Sequence, residues 1–107
     1  MNFNEYQKLA LRTASKQSDE NTIMNGVLGL NGEAGEVADL VKKHLFQGHE
    51  LDKDKFAYEI GDILWYCAVL AEGINYTLSM IADMNVDKLK KRYPNGFEAE
   101  RSLNRKD

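Results

Sequence analysis

Two long stretches of the chain repeat apolar residues at a spacing near 3.6, the period of an α-helix. The first, from about residue 21 to residue 46, carries a stripe of Met24, Val27, Leu28, Ala34, Val37, Ala38, Val41 and Leu45. The second, from about residue 52 to residue 72, carries an inner stripe of Phe56, Ile60, Ile63, Leu64, Cys67, Leu70 and Ala71. A second apolar face of this stretch consists of Tyr58, Trp65, Ala68 and Val69. A helix that is apolar on most sides lies at the centre of its fold or is covered by a partner subunit. The pattern therefore predicts two central helices.

Shorter helical patterns flank this pair, from about residue 4 to 15 and from about residue 78 to 93. Asp52 is the predicted N-cap of the third helix and Thr77 that of the fourth, because both side chains accept hydrogen bonds from a first helical turn. Gly73 is the predicted C-cap of the third helix. No stretch shows a convincing strand pattern. We predict an all-α, four-helix bundle-type subunit.

Composition and charge narrow the class of protein. The 107 residues fit a single domain over residues 1–107, in which residues 98–107 read as a polar tail. With acidic and basic residues interspersed and a net charge of −3, the chain lacks the basic face of a nucleic-acid-binding protein. Cys67 is the only cysteine, which excludes an intramolecular disulfide and a cysteine metal cluster. Without a signal pattern or an apolar stretch of spanning length, we expect a cytoplasmic protein with no membrane partner.

Two pairs of acidic residues stand out on the central helices. Glu33 and Glu36 lie three residues apart on the second helix, and Glu59 and Asp62 lie three apart on the third. Residues at this spacing share a helix face, and like charges there cost roughly 0.2–0.5 kcal/mol per pair even in water. Lys55 stands four residues before Glu59, but the other three acids have no cation at helical spacing.

If the two helices are neighbours, the four carboxylates form one oxygen-rich cluster. Such a cluster suits magnesium, or manganese in its place, because these ions prefer oxygen ligands. Gly29, Gly32 and Gly35 flank the first pair, and each costs up to ~1 kcal/mol in a helix interior, which predicts a closely approaching helix or ligand. Asp39, by contrast, has lysines three and four residues further on, the spacing of an ordinary surface ion pair. The alternative is that both acidic pairs are simply solvated.

Three segments of the chain carry a resemblance. "GEAGEVADLVKK" and "YEIGDILWYCAVLAE" resemble the two-part acidic signature of the all-α nucleoside triphosphate pyrophosphohydrolases, the MazG-like group. "NVDKLKKRYPNGF" resembles the segment that follows the signature in many members. The similarity spans roughly residues 3 to 105. It implies that the metal ligands are Glu33, Glu36, Glu59 and Asp62. The family signature begins with two adjacent glutamates. In this chain the position of the first glutamate is occupied by Gly32.

The resemblance also implies a reaction, in which a ribo- or deoxyribonucleoside triphosphate is hydrolysed between its α and β phosphates to the monophosphate and pyrophosphate. Glu36 is our candidate for the group that accepts the proton of the attacking water. Further candidates for substrate binding are Asp83, Asn85, Lys88, Arg92, Lys55 and Trp65. Asp83 and Asn85 are assigned to contacts with the metal or the sugar. Lys88, Arg92 and Lys55 are assigned to the phosphates. Trp65 either stacks on a nucleobase or belongs to the core or a subunit interface.

Subunits of this family bury their second and third helices in oligomers, so the resemblance implies a homodimer or homotetramer, with a role in nucleotide-pool housecleaning. An alternative within the same class of enzymes is a phosphoribosyl-ATP pyrophosphohydrolase or a dUTPase-like activity, which would use the same metal-binding carboxylates with a different base pocket. An alternative from another class is a non-catalytic helical module that binds a partner protein. The glycine in place of the family's first glutamate keeps that alternative open.

Overall fold

The computed structural model describes residues 1–106 and consists of helices and their connections. The five α-helices are α1 (Phe3–Ala10), α2 (Asp19–Phe46), α3 (Lys53–Gly73), α4 (Leu78–Arg92) and α5 (Ala99–Leu103), and a 3₁₀ turn (Leu11–Thr13) follows α1. No β-strand is present within residues 1–106. The predicted all-α class is confirmed. None of the described helices combines the length and apolarity needed to cross a lipid bilayer.

Polar side chains determine where the long helices begin. The Ser18 side chain accepts a hydrogen bond from the backbone N–H of Asn21 at the start of α2. Asp52 does the same at the start of α3, and Thr77 at the start of α4. Each bond satisfies a backbone donor that has no partner within the helix, which is worth about 1 kcal/mol. The two predicted N-caps are confirmed.

The end of α3 corrects one prediction, because Gly73 is the last residue of the helix rather than its cap. Asn75 adopts the left-handed conformation with φ 64°, and the N–H of Tyr76 donates to the carbonyl of Ala71 at 2.8 Å. Asparagine tolerates this conformation, so it terminates the helix as glycine often does. Gly73 is required for packing instead, because a Cβ there would lie 2.9 Å from Cγ1 of Ile23.

Helices α2 and α3 pack against each other in an antiparallel pair along a seam of small residues. The ring of Tyr66 covers Gly29, and a Cβ on Gly26 would lie 2.6 Å from Cγ of Leu70. Residues further along α2 therefore contact residues closer to the N-terminus of α3, as expected for an antiparallel pair. These glycines hold the two helices in one register, because a side chain in their place would push α2 and α3 apart.

Helices α1 and α4 cover the C-terminal half of α3. A small core joins them, formed by Ala10, Ala68, Ala71 and Leu78. The buried side chain of Gln7 lies beside it, donating to the carbonyl of Tyr76 at 3.1 Å and accepting from the N–H of Leu78 at 2.7 Å. Both polar ends of this buried amide are thereby satisfied, and α1 is tied to the connection between α3 and α4.

The apolar stripes are not buried as the periodicity predicts. On α2, Leu28 is 71% exposed and Leu45 64% exposed. On α3, Ile60 of the predicted inner stripe is half-exposed, whereas Ala68 and Val69 of the second face are buried. The reason is that the glycine seam, rather than the apolar stripe, determines which face of α2 approaches α3. Much of the apolar surface of the central helices therefore faces outwards in the single chain.

The two ends of the chain also differ from the prediction. The first helix ends at Ala10, and its predicted last turn is the 3₁₀ turn followed by an irregular connection. The segment predicted as a polar tail contains α5, whose residues are all exposed. Asp107, the last residue of that tail, lies outside the described residues.

Candidate metal centre

Three carboxylates converge where α2 and α3 continue beyond the seam of small residues. Glu33 of α2 and Glu59 and Asp62 of α3 each offer a carboxylate oxygen within 4.8 Å of the other two. Glu33 lies one turn after the seam residue Gly29, so the antiparallel register carries it to this part of α3. We call these three residues the carboxylate group. Glu33 and Glu59 are half-buried, and Asp62 is exposed.

The carboxylate group is electrostatically uncompensated. The pKa of Glu33 is raised, first by a hydrogen bond between its carboxyl group and that of Glu59, then by partial desolvation. The negative charges of Asp62, Glu59 and Glu36 raise it further. All of these influences act in one direction, because no lysine or arginine contributes. Two carboxylates in such contact need either a shared proton or a nearby cation, so the arrangement favours a bound positive charge.

Glu36, the fourth predicted ligand, lies at the edge of this site. It is exposed and is not part of the carboxylate group, yet its charge contributes to the raised pKa of Glu33. The pKa of Lys43 is also raised, mainly by its hydrogen bond to Asp39 and to a smaller extent by the charge of Glu36. Three of the four predicted ligands are thus brought together, and the fourth is a neighbour of that group.

Asp39 shows what a compensated carboxylate looks like on the same helix. It forms the predicted ion pairs, 3.3 Å to Lys42 and 2.8 Å to Lys43, and its pKa is lowered mainly by the hydrogen bond to Lys43. Lys55 forms no ion pair with Glu59, although its spacing would allow one. Asp39 therefore provides a natural comparison for the carboxylate group.

A cavity of about 500 Å³ lies between the α1–α2 connection, the first half of α2 and the second half of α3. Its polar lining residues include Thr13, Lys16, Gln17, Asp19, Asn25 and Glu72, together with Trp65. Trp65 follows Asp62 by one helical turn, about 4.5 Å along the axis of α3. We call this space the tryptophan cavity, because Trp65 is the lining residue of α3 that is closest to Asp62 along the helix.

The indole ring of Trp65 is held in place by three contacts. Its N–H donates to the carbonyl of Ala10 at 2.9 Å and to the hydroxyl of Thr13 at 3.0 Å. Its ring meets that of Tyr66 edge-on, with 4.9 Å between centroids. The polar atom of the side chain is therefore satisfied within the protein, and the half-buried ring is a fixed apolar surface beside the cavity.

Comparison with known proteins agrees with this architecture. Residues 21–97 match the MazG nucleotide pyrophosphohydrolase domain, a segment that contains α3, α4 and nearly all of α2. The chain belongs to the MazG family. It is also 38% identical over 73 residues to the Gene 37 protein of Mycobacterium phage L5, an alignment that covers 64% of each chain, less than two thirds of the relative's length. No solved structure is significantly similar to this chain.

The MazG signature departs from its usual form at Gly32, and the structure shows what surrounds that position. A Cβ at Gly32 or Gly35 would meet no atom within 4 Å. Of the three glycines around the acidic pair, only Gly29 is explained by a closely packed neighbour in the chain. A glutamate at position 32 would extend into open space, so its absence leaves the packing of this MazG domain unchanged.

The remaining predicted binding residues are dispersed. Asp83, Asn85 and Lys88 are exposed on α4, and they line neither the carboxylate group nor the tryptophan cavity. Arg92 lines a different cavity at the end of α4. Lys55 lines a small one, of about 240 Å³, at the turn between α2 and α3.

Among the lining residues of the tryptophan cavity, only Trp65 was predicted as a site residue, and Asn25 and Glu72 are two of those that were missed. Asn25 precedes Gly29 by four residues and Gly32 by seven, the spacing of one helix face, so counting back from the acidic signature would have found it. Glu72 carried no comparable signal. It lines the cavity together with residues of the α1–α2 connection, which are distant from it in the sequence.

Proposed function

We propose that this MazG domain hydrolyses ribo- or deoxyribonucleoside triphosphates to monophosphate and pyrophosphate, with magnesium bound by Glu33, Glu59 and Asp62. The observation that carries the proposal is the carboxylate group, whose crowding raises the pKa of Glu33 with no opposing contribution from a lysine or arginine. Membership of a nucleotide pyrophosphohydrolase family supports the same reaction type.

The donor set fits magnesium, and manganese as a substitute. Ligands on opposite sides of one magnesium ion are about 4.2 Å apart, so oxygens within 4.8 Å of each other need only small side-chain rotations to bind it. All three donors are carboxylate oxygens, which this ion prefers. When bound, magnesium would bind phosphate oxygens and offset charge on the departing pyrophosphate.

Glu36 is our proposed proton acceptor for the attacking water. It is adjacent to the carboxylate group without being part of it, and it is exposed. A carboxylate that is not fully engaged by a metal retains an oxygen that can accept a proton. The same exposed position also allows Glu36 to act as a fourth ligand, as the resemblance implies.

The tryptophan cavity is the proposed site of the nucleobase. Its volume of about 500 Å³ lies within the usual range for small-ligand sites. The fixed ring of Trp65 offers an apolar surface for stacking, and Asn25 offers hydrogen-bonding groups. Because Trp65 is one turn from Asp62, a nucleotide bound here would direct its phosphates towards the carboxylate group. Contacts to substrate by Asp83, Asn85, Lys88, Arg92 and Lys55 stay predictions from the resemblance.

We also propose that the chain functions as a homodimer or homotetramer. A compact monomer of 12.2 kDa exposes about 6,100 Å², whereas this chain exposes 8320 Å². Its radius of gyration is 16.9 Å, against about 13 Å for a compact domain of this length. The excess of about 2,200 Å² per subunit is of the size that permanent dimers bury. Exposed apolar residues of α2 and α3 would form the interface.

The proposed role is nucleotide-pool housecleaning in the cytoplasm, where the substrates occur. The decisive experiment measures pyrophosphate release from each common ribo- and deoxyribonucleoside triphosphate, from dUTP and from phosphoribosyl-ATP, with and without magnesium. We expect magnesium-dependent formation of equal amounts of pyrophosphate and monophosphate, and the preferred substrate separates the related enzyme classes. If no compound yields pyrophosphate with magnesium or manganese, the catalytic proposal is wrong and the non-catalytic helical module is favoured.

A further inference from the structure

The indole N–H of Trp65 belongs to a closed set of hydrogen bonds at the end of α1. It donates to the carbonyl of Ala10 at 2.9 Å and to Oγ1 of Thr13 at 3.0 Å. The hydroxyl of Thr13 donates in turn to the same carbonyl of Ala10 at 3.0 Å. The hydroxyl proton is therefore committed to Ala10, and a lone pair of the oxygen remains to accept from the indole. We call Ala10, Thr13 and Trp65 the indole anchor.

The indole anchor depends on the way in which α1 ends. Ala10 is the last residue of α1, and the last carbonyls of an α-helix have no partner within the helix. The chain then tightens into the 3₁₀ turn Leu11–Thr13, in which side chains three residues apart lie one above the other. This turn brings the hydroxyl of Thr13 next to the carbonyl of Ala10, so that both oxygens accept from one indole N–H.

The indole anchor also forms part of the wall of the tryptophan cavity. Thr13 and Trp65 both line that cavity. The ring of Trp65 is held at its N–H by the anchor and meets Tyr66 edge-on, so its orientation is restrained from two sides. A surface that is already ordered binds a ligand at a lower entropic cost than a side chain that must be immobilised on binding.

Both acceptors of the indole N–H lie outside the part of the chain that matches the MazG domain. The match begins at residue 21, so it includes Trp65 but neither Ala10 nor Thr13. The two hydrogen bonds join residues that are 55 and 52 positions apart. The orientation of the Trp65 ring is therefore determined by the segment that precedes the matched domain.

We propose that Thr13 is a positioning residue for nucleobase binding. Its hydroxyl holds the ring of Trp65 in the orientation on which the base of a nucleoside triphosphate stacks. This inference rests on the proposed function and on the tryptophan cavity as the base site. It adds a residue that acts through Trp65 and contacts neither the phosphates nor the metal ligands, so Thr13 affects KM and leaves kcat unchanged.

Replacing Thr13 by valine tests the inference, because valine has nearly the same shape and lacks the hydroxyl. The indole keeps its bond to Ala10, so the cavity should persist while the ring becomes less restrained. From the usual net contribution of one hydrogen bond, we expect KM to rise roughly two- to tenfold, with kcat unchanged. Thr13→Ser keeps the hydroxyl and is the matched control, for which we expect the KM of the wild type.

Inorganic tripolyphosphate separates base binding from phosphate binding. It carries the phosphate chain of the substrate without a base, so its inhibition constant should be the same for the wild type and for Thr13→Val. A rise in this constant equal to the rise in KM would show that the substitution damages the whole site, and would overturn the inference. A lower melting temperature with an unchanged KM would also overturn it, since the hydroxyl would then only stabilise the fold.

The fluorescence of Trp65 gives a measurement that requires no turnover, because this residue is the only tryptophan in the chain. A nucleoside monophosphate, the proposed product, should quench the emission when its base stacks on the indole ring. We expect half-maximal quenching of Thr13→Val at a concentration roughly two to ten times that of the wild type, and no shift for Thr13→Ser. Equal concentrations for all three proteins would contradict the role of Thr13.

The inference and the proposed function fail separately. A wild-type protein that releases no pyrophosphate contradicts the function, whereas the quenching experiment still decides whether Thr13 positions Trp65 for a base. An active wild type with the same KM as Thr13→Val contradicts the inference alone. A wild type whose fluorescence no nucleotide changes contradicts both the base site and the role of Thr13.

Discussion

The carboxyl group of Glu33 forms a hydrogen bond with that of Glu59, and this contact raises the pKa of Glu33. The pair can therefore hold either a proton or a metal ion. One proton or one cation relieves the repulsion, so the two compete for the same oxygens. Asp39, two turns further along the same helix, has its cations already present in Lys42 and Lys43. Carboxylates on the same helix therefore form a candidate metal site where no cation is near and an ordinary ion pair where lysines are near.

Replacing Asp62 by asparagine should abolish turnover while leaving the helical fold intact. Loss of residues that only support metal ligands typically costs 10- to 100-fold, so removing a ligand itself should lower kcat/KM by roughly 100-fold or more. The same substitution relieves repulsion, and the metal-free variant should melt at or above the temperature of the wild type. Pyrophosphate release and thermal melting followed by circular dichroism measure the two effects.

Asp39→Asn is the matched control, because it makes the same chemical change outside the carboxylate group. We expect nearly unchanged activity, since Asp39 only forms surface ion pairs. Equal loss of activity in both variants would show that the effect comes from altered charge on the helices rather than from metal binding.

The raised pKa of Glu33 predicts how the stability of the metal-free protein depends on pH. An acid whose pKa is higher in the folded than in the unfolded state stabilises the fold fully below its ordinary value of 4.5. This contribution is lost as the pH rises through the higher, folded-state pKa. Glu33→Gln removes the titrating group. With a chelator present to keep the protein metal-free, the melting temperature of the variant minus that of the wild type should therefore increase from pH 4 to pH 7. Parallel melting curves across this range would contradict the assignment.

At the scale of the helices, the seam between α2 and α3 carries the site. Gly26 and Gly29 let the pair approach, and the ring of Tyr66 covers the second of them. Gly32 and Gly35 lie on the same helix with open space around them. Glycines that look alike in the sequence therefore have opposite consequences for the stability of the helix pair.

Alanine substitutions on α2 should change stability with opposite sign. Gly29→Ala places a methyl group against the ring of Tyr66, and we expect the free energy of unfolding to fall by about 1–3 kcal/mol. Gly32→Ala meets no neighbour and restricts the unfolded chain, so the free energy of unfolding should rise by about 0.4–1 kcal/mol. Urea denaturation measures both. A destabilised Gly32→Ala protein would indicate that another subunit packs at that position.

At the scale of the whole molecule, the single chain leaves much apolar surface exposed. Large apolar side chains on the central helices are exposed, including Leu28 at 71% and Tyr58 at 78%. The apolar second face that the sequence predicts for α3 is partly buried by α1 and α4. It is α2 that presents most of its predicted stripe to the outside. The surface area and radius of gyration agree with this description.

Introducing a charge on the outer face of α2 should weaken self-association. Leu28→Lys places a cation in the proposed interface, and we expect the dissociation constant to rise about tenfold or more, as for loss of an interface hot spot. Leu9→Lys, on a half-exposed position of α1, is the control and should associate like the wild type. Sedimentation velocity over a range of concentrations measures both. A wild-type protein that sediments as a monomer at all concentrations would contradict the oligomer.

The helical content of this protein was predictable because it arises from local interactions. The apolar period identified α2, α3 and α4, and the N-caps Asp52 and Thr77 lie where the spacing placed them. The spacing of the two acidic pairs likewise identified their positions as special. The end of α3 was misplaced because a local pattern does not reveal that Asn75 adopts the left-handed conformation while Gly73 is needed for packing.

The amino-acid sequence by itself determined the fold class and the candidate metal ligands, since helix formation and like-charge spacing depend on residues a few positions apart. Only the tertiary structure decided which face of α2 meets α3, which three carboxylates converge, and that Trp65 is fixed by residues more than 50 positions away. The physical reason is that both central helices are apolar on more than one side. Periodicity then allows several packing arrangements, and the fit of Tyr66 and Leu70 against two glycines selects one of them.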